Sequence, residues 1–277
     1  MPSLSRILAG CLLLLIAGCG SVEKRAADAD AIAATARMAK IPLRTDTFTL
    51  MSYSHLVRSG EPITIYIEGD GKAWTTRTQV SLNPTPDNPL ALRLAARDPA
   101  ANVAYLGRPC QYVELGREKR CDDAYWTFKR FTPEVISAVD QAVSQLKARI
   151  GASGVHLVGY SGGGAVAALV AAGRSDVLSL RTVAGNLDHV ALHTHHRVSQ
   201  MPASLNAIDV APKLAKIPQI HYSGSLDAVV PGFIASRFAE RSGNGACIRL
   251  STMQGANHED GWVERWPNAL KDIPSCP

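Results

Sequence analysis

The feature that most constrains the fold of this chain is a glycine-rich turn placed between an apolar run and a stretch of small residues. The run Val155–Val158 is typical of a buried strand, and the segment Ala165–Ala172 favours a helix. Between them the turn reads Gly-Tyr-Ser-Gly-Gly from Gly159 to Gly163. In a tight strand-to-helix turn the backbone of Ser161 is strained, and glycines on both sides avoid steric clashes. The serine hydroxyl then points out above the edge of a sheet.

Apolar runs alternate with helical patterns along the rest of the chain, which predicts an α/β fold with a mostly parallel central sheet and helices on both faces. The other predicted strands are Thr47–Tyr53, Ile63–Ile67, Asn102–Leu106, Leu180–Ala184, Ile217–Tyr222 and Cys247–Met253. The first two of these are expected to form a hairpin or to lie side by side. Helices are predicted over Pro89–Arg97 and after Thr132, where apolar residues from Val135 to Ile150 keep the spacing of one buried face.

Length and charge exclude some classes of protein. The chain has 277 residues, which suits one large domain. Its 29 Lys and Arg residues exceed the 24 Asp and Glu residues by only five, without clustered basic faces. We therefore expect no nucleic-acid partner.

Two later segments supply what a reactive serine needs. A serine hydroxyl is too weakly acidic to attack an ester unaided, so a base and a group that orients the base are required. Asp227 follows the predicted strand Ile217–Tyr222, and His258 follows the last predicted strand. Both should lie at the same sheet edge as Ser161. Asp188, which follows the strand Leu180–Ala184, is a second candidate for the acid.

From about residue 47 to the C-terminus, the chain resembles the α/β-hydrolase superfamily, with similarity to small carboxylesterases and dienelactone-hydrolase-like enzymes. The resemblance rests on the Gly-x-Ser-x-Gly turn and on the chain order Ser161, Asp227, His258. It implies an α/β-hydrolase fold in which Ser161 is the nucleophile, His258 the general base and then acid, and Asp227 the residue that orients the imidazole. It implies no cofactor.

The resemblance also indicates where an oxyanion would bind. Relatives often carry His-Gly-Gly after the strand that corresponds to Ile63–Ile67, and here the residues are Gly69, Asp70 and Gly71. The amides of Asp70 and Gly162 are the expected donors, with Gly71 as the alternative to Asp70. A plain tight turn is the simpler interpretation. The Asp70 carboxylate should turn away from the anion or pair with Lys72 or Arg108.

The N-terminus resembles a bacterial lipoprotein signal. Arg6 precedes the apolar run Ile7–Ala17, which is too short to cross a bilayer, since that takes about 20 apolar residues. Ala17 and Gly18 abut Cys19. The resemblance implies removal of residues 1–18 and lipidation of Cys19. Residues 21–40 are rich in alanine and charge, so we interpret residues 19–42 as a tether or a loosely docked helix, followed by a hydrolase domain over residues 43–277. Because residue 20 is Gly and not Asp, the resemblance implies the outer membrane, with the domain facing the periplasm. An ordinary secretory signal is the alternative.

Four cysteines lie outside the signal and the lipidation site, an even number that suits an oxidising compartment. They allow three connectivities, of which proximity in sequence favours Cys110 with Cys121 and Cys247 with Cys276. Buried free thiols are the alternative.

Other residues that could take part in binding are expected to have structural or surface roles. No Cys, Asp or Glu lies at metal-ligand spacing beside His193, His195 and His196, so we expect these residues at an entrance or in solvent and no metal site. Trp262 and Trp266 are expected in the core. The segment Asn186–Lys213 lacks a clear period and is expected to form a small cap or a pocket wall.

These patterns favour a monomeric, envelope-located serine hydrolase that cleaves a carboxylic ester or related acyl bond through an acyl-enzyme. The lack of a long inserted lid favours small or polymer-end acyl substrates. Two other classes stay open: a binding or structural lipoprotein on a hydrolase scaffold, and an acyltransferase.

Overall fold

The computed structural model describes residues 22–118, 120–243 and 245–276. The predicted signal peptide and the predicted lipidation site, Cys19, lie outside these residues. No helix among the described residues is long and apolar enough to span a lipid bilayer.

One eight-stranded sheet is the centre of the described part of the chain. Its strands are β1 (Ala39–Arg44), β2 (Thr49–Leu56), β3 (Ile63–Ile67), β4 (Asn102–Leu106), β5 (Val155–Tyr160), β6 (Val177–Val183), β7 (Gln219–Gly224) and β8 (Ile248–Met253). Their order across the sheet is β1-β2-β4-β3-β5-β6-β7-β8. Strands β3 to β8 are parallel, and β2 is antiparallel to both of its neighbours. The predicted parallel sheet is therefore confirmed.

The expected pairing of the first two predicted strands is wrong, because β4 lies between β2 and β3. Strand β4 forms an antiparallel ladder with β2 and a parallel ladder with β3, and its first residue holds the connection between those two strands. The Asn102 side chain accepts hydrogen bonds from the amides of Val57 and Arg58, at 2.9 and 3.0 Å, and donates to the Arg58 carbonyl at 2.7 Å. The connection from β2 to β3 thus passes over β4 and is held by its first residue.

Helices cover both faces of the sheet. They are α1 (residues 22–35), α2 (Leu90–Ala95), α3 (Pro133–Ile150), α4 (Gly162–Ala171), α5 (His189–His196), α6 (Phe233–Arg241) and α7 (Trp266–Leu270). Helices α3, α4 and α6 contribute to one hydrophobic core, and α1, α2 and α7 contribute to the other. Strand β3 supplies both cores, since Ile65 belongs to the first and Tyr66 to the second. This is the alternation that a sheet covered on both faces requires.

Part of the segment interpreted as a tether or a loosely docked helix forms α1, which packs against the domain. Ala29 and Ala33 of α1 are buried in the second core, where their small side chains allow close approach. Asp30 accepts a hydrogen bond from the Tyr53 hydroxyl at 2.6 Å. Strand β1 begins at Ala39, so the sheet starts inside residues 19–42.

Two disulfides join Cys110 to Cys121 and Cys247 to Cys276, which is the pairing that proximity in sequence favours. Trp262 and Trp266 are fully buried, as expected of core residues. The segment Asn186–Lys213 contains α5 and most of a 3₁₀ helix, Ala207–Leu214, whose side chains Ala207, Ala211 and Leu214 join the first core.

Candidate active site

The turn between β5 and α4 places Ser161 at the carboxyl edge of the sheet. Its φ of +51° lies in the left-handed region, where a residue with a side chain is strained. Glycine is needed around it because the backbone is crowded. A Cβ atom at Gly159 would lie 2.3 Å from the carbonyl oxygen of Gly163, and one at Gly163 would lie 2.3 Å from that of Ile67. The surrounding packing therefore holds the serine in its strained conformation.

Asp227 lies in the turn that follows β7. Its Oδ1 accepts hydrogen bonds from the amides of Val229 and Val230, both at 2.8 Å. These bonds fix the carboxylate, whose side chain is fully buried, and leave Oδ2 to face the histidine.

His258 connects the other two groups. Its Nδ1 is 2.9 Å from Oδ2 of Asp227, and its Nε2 is 3.0 Å from Oγ of Ser161. With the proton on Nδ1, the ring donates to the carboxylate and accepts from the serine hydroxyl. Three residues from the ends of three different strands thus form one continuous hydrogen-bonded chain.

Asp188, the second candidate for the acid, has other partners. Its Oδ1 caps α5 through the amide of Ala191 at 3.1 Å and accepts from the Asn206 side chain at 2.9 Å. Its Oδ2 pairs with Arg237 at 2.9 Å. The carboxylate that faces the histidine is that of Asp227.

The loop after β3 places amides beside Ser161. Apart from the regular ladders of helices and strands, no backbone carbonyl among the described residues accepts a hydrogen bond from the N–H groups of Asp70, Gly71 or Gly162. The Asp70 carboxylate contacts Arg130 at 2.7 Å and Arg108 at 3.3 Å. Of the two expected partners, Arg108 pairs with Asp70, whereas Lys72 pairs with Asp87 at 2.7 Å.

The comparisons with known proteins agree with this architecture. No protein-family model matches the sequence, and a search of curated proteins found no match. Est1E of Butyrivibrio proteoclasticus aligns with a TM-score of 0.58 at 15% identity, over 84% of this chain and 96% of its own. An esterase of Pyrococcus furiosus aligns at 0.60 and 12% identity, over 85% and 89%. An alpha-beta serine hydrolase homologue of Coxiella burnetii aligns at 0.54 and 15% identity, over 84% and 94%. This chain has the α/β-hydrolase fold.

Within this α/β-hydrolase fold, sequence reasoning missed Arg130. Its guanidinium bonds Asp70 and lies over the ring of Phe131, 5.8 Å from the centroid. Burial lowers the pKa of the neighbouring Arg108 to about 10, so it is still a cation at neutral pH. Two arginines therefore face one carboxylate beside the turn. Arg130 comes from a loop 60 residues away from Asp70 in sequence, and no local pattern marks it.

Glu68 was also missed, although it precedes the expected oxyanion loop directly. It is 1% exposed, and its Oε1 accepts from the amides of Gly69 at 2.9 Å and Ala91 at 3.4 Å. Burial raises the pKa of this carboxyl to about 7, against the lowering effect of those two amides. Its contacts with Gly69 and Ala91 connect the loop to the start of α2.

A cavity of about 470 Å³, which we call the catalytic cavity, opens onto Ser161 and His258. Trp74 and Arg130 line its walls together with Lys72. Its volume is in the range of small-molecule sites.

Three of the four histidines of α5, namely His193, His195 and His196, lie in a cavity wall or at the surface. His193 Nδ1 lies 2.6 Å from the carbonyl oxygen of Ser199, and His196 Nε2 lies 2.8 Å from that of Val229. Within the described residues, no three His, Cys, Asp or Glu side chains are grouped as they would be around a metal ion.

Proposed function

We propose that this protein is a serine hydrolase that cleaves a carboxylic ester, or a related acyl bond, through an acyl-enzyme. One observation supports the proposal most strongly: the unbroken hydrogen-bonded series Asp227, His258, Ser161 at a strained strand-to-helix turn. The neighbours of known structure include esterases, and they agree with a hydrolytic function on this scaffold.

In the proposed first step, the Ser161 hydroxyl oxygen attacks the carbonyl carbon of the ester while His258 Nε2 takes its proton. The imidazolium that forms is stabilised by the buried Asp227 carboxylate. His258 then gives the proton to the departing alcohol oxygen, and the acyl group stays on Ser161. In the second step, water attacks the acyl-enzyme by the same route and the carboxylic acid leaves.

The amides of Gly162 and Asp70, with Gly71 as the alternative to Asp70, are proposed to bind the oxyanion. A donor of this kind contributes about 3 kcal/mol to the stability of the transition state. The Asp70 carboxylate does not oppose this role, because Arg108 and Arg130 compensate its charge.

We also propose that the enzyme acts in the bacterial envelope, anchored by a lipid on Cys19 and facing the periplasm. The support is the signal-like N-terminus and the two disulfides, which suit an oxidising compartment. In a bacterial host, the wild type should fractionate with membranes and incorporate labelled palmitate. A Cys19→Ser variant that still does both would contradict the anchor.

A fluorophosphonate probe and a series of 4-nitrophenyl esters test the catalytic proposal. The wild type should be labelled and should hydrolyse short esters, whereas Ser161→Ala should be neither labelled nor active. Ser175→Ala is the matched control, because Ser175 is exposed in the loop after α4 and should behave as the wild type does. Failure of the wild type to react with either reagent would leave a binding protein on a hydrolase scaffold. Faster transfer to an added alcohol than to water would instead indicate a transferase.

A further inference from the structure

A second cavity, which we call the side pocket, adjoins the catalytic cavity. It measures about 720 Å³ and shares Trp74, Arg130 and Val229 with the catalytic cavity. The two cavities therefore border each other, and a substrate held at Ser161 can extend toward the side pocket. The walls of the side pocket come from the loop after β3, from the loop that holds Phe128, from the end of α5 with the residues that follow it, and from the turn after β7.

Charge is unevenly divided between the two cavities. The catalytic cavity is lined by four acidic side chains, those of Glu68, Asp70, Asp87 and Glu259, and by the two cations Lys72 and Arg130, which pair with Asp87 and Asp70. Among the described residues that line the side pocket there is no Asp or Glu, but there are three arginines, Arg77, Arg130 and Arg197. The side pocket is therefore the cationic part of the site.

Two of these arginines are available to a ligand. Arg77 and Arg197 are exposed, and their side chains have no hydrogen-bond or ion-pair partner in the part of the chain that the structure describes. Arg130 is held by Asp70, and its Nη2 lies 3.4 Å from Nε2 of His193. Guanidinium groups pair well with carboxylate and phosphate groups.

The end of α5 does not cancel this positive charge. The last carbonyls of a helix carry partial negative charge and would disfavour an anion. Here the amide of Arg197 donates to the Thr194 carbonyl at 3.2 Å, and that of Val198 donates to the His193 carbonyl at 3.0 Å. These carbonyl oxygens already have donors.

Apolar surface lies beside the arginines. The rings of Trp74 and Phe128 meet edge to face with centroids 6.0 Å apart, and Phe128 is 43% exposed. Val229, which borders both cavities, is 52% exposed. A hydrocarbon or aromatic spacer could cover these groups on its way from Ser161 to the arginines.

We propose that the side pocket binds an anionic end of the substrate, so that esters with a carboxylate or similar organic anion beyond an apolar spacer are preferred. This inference rests on the proposed function, because it places the reacting carbonyl at Ser161. Binding energy from such a remote group can be used to accelerate the reaction at the carbonyl.

The test compares esters that differ only in charge. On the acyl side, 4-nitrophenyl monoesters of glutaric, adipic and suberic acid are paired with their methyl-capped neutral forms. On the alcohol side, 4-carboxyphenyl acetate is paired with its methyl ester. For at least one pair, kcat/KM of the wild type should be five or more times higher for the anion. The preference should shrink as salt is raised, since exposed charges are screened.

Substitutions in the side pocket test whether its arginines cause the preference for the anionic ester. Arg77→Gln and Arg197→Gln should each lower the ratio of the two kcat/KM values at least twofold, and the double variant should lower it further. The ratio corrects for any general loss of active protein. Arg149→Gln is the matched control, because Arg149 is exposed at the end of α3 beside the opposite edge of the sheet, and it should leave the ratio unchanged.

The outcomes separate this inference from the proposed function. If the wild type hydrolyses neutral esters at Ser161 but shows no preference for any anion, the side pocket has been wrongly assigned and the hydrolase proposal stands. A preference that survives the double variant would also overturn the assignment. If Ser161 is not labelled and no ester is cleaved, the proposed function itself fails.

Discussion

Tyr160 illustrates how one residue beside the nucleophile can position the general base. Its ring lies against the His258 imidazole, with centroids 5.3 Å apart and planes tilted by 37°. Its hydroxyl donates to the backbone carbonyl of His258 at 3.2 Å. The turn that presents Ser161 therefore also holds the loop that carries the histidine.

Tyr160→Phe keeps the ring and removes this hydrogen bond. One such bond contributes about 1 kcal/mol, so we expect kcat to fall roughly fivefold with little change in KM. Steady-state kinetics on a neutral 4-nitrophenyl ester would measure both constants. Tyr222→Phe is the control, since it also loses a bond to a backbone carbonyl, that of Ala269 at 3.0 Å, but outside the catalytic cavity. Equal losses in the two variants would assign Tyr160 a merely structural role.

The strand-to-helix turn as an element depends on backbone contacts that exclude any side chain at Gly159. A Cβ atom there would meet the Gly163 carbonyl oxygen at 2.3 Å and Cα of Gly164 at 2.6 Å. Because backbone atoms cannot move aside as a side chain can, Gly159→Ala should lower the free energy of unfolding by about 2 kcal/mol or more. Ser161 should then react with fluorophosphonate much more slowly.

Gly173→Ala is the matched substitution just after α4. Its nearest neighbour would be the Val170 carbonyl oxygen at 3.6 Å, an ordinary contact, so stability should change by less than about 0.5 kcal/mol. Urea unfolding of the two variants and the wild type would measure these changes in the free energy of unfolding. A Gly159→Ala protein as stable and as reactive as the wild type would refute the packing argument for this turn.

The C-terminal segment is an element tied at both ends. The disulfide joins Cys247 to Cys276, which are 29 positions apart, and His258 lies in the segment between them. Loop-closure entropy for that length corresponds to about 4 kcal/mol. In Cys247→Ser/Cys276→Ser, hydrolysis should be lost at a lower urea concentration than the far-ultraviolet circular dichroism of the sheet. Two curves that shift together would show that the bond stabilises the whole fold and not the histidine loop.

At this scale the sequence was most informative where its signals were local. The apolar runs predicted β3 and β4 with correct bounds, and the turn residues predicted the position of Ser161. Strand order was harder to predict, because β4 pairs with both β2 and β3 although other residues separate it from them in sequence, and no local pattern reports that pairing. The Asn102 side chain, which holds the connection between β2 and β3, likewise bonds a residue 44 positions away. The contact between Arg130 and Asp70 also joins residues that are 60 positions apart, so no local pattern predicts it.

On the scale of the whole molecule, buried titratable groups make stability depend on pH in two opposing ways. Burial lowers the pKa of His221 to about 4, so its contribution is present above its ordinary pKa of 6.5 and is lost as pH falls. Burial raises the pKa of Glu68 from 4.5 to about 7, so its contribution is present below pH 4.5 and is lost as pH rises through 7. Between about pH 4.5 and pH 6.5 the two effects oppose each other, so the contribution of these two groups should be greatest at mildly acidic pH and lower at neutral pH.

Glu68→Gln tests whether Glu68 causes the loss of stability at higher pH, because glutamine resembles the protonated acid and does not titrate. A pKa difference of that size corresponds to about 2 to 3 kcal/mol between pH 5 and pH 8. Urea unfolding with the disulfides intact should therefore show that the wild type loses this much stability relative to Glu68→Gln over that interval. Glu240→Gln removes an exposed carboxylate on α6 and should keep the wild-type pH dependence. If the wild type and Glu68→Gln follow parallel curves from pH 5 to pH 8, Glu68 is not the group that titrates, and the loop after β3 carries no such pH dependence.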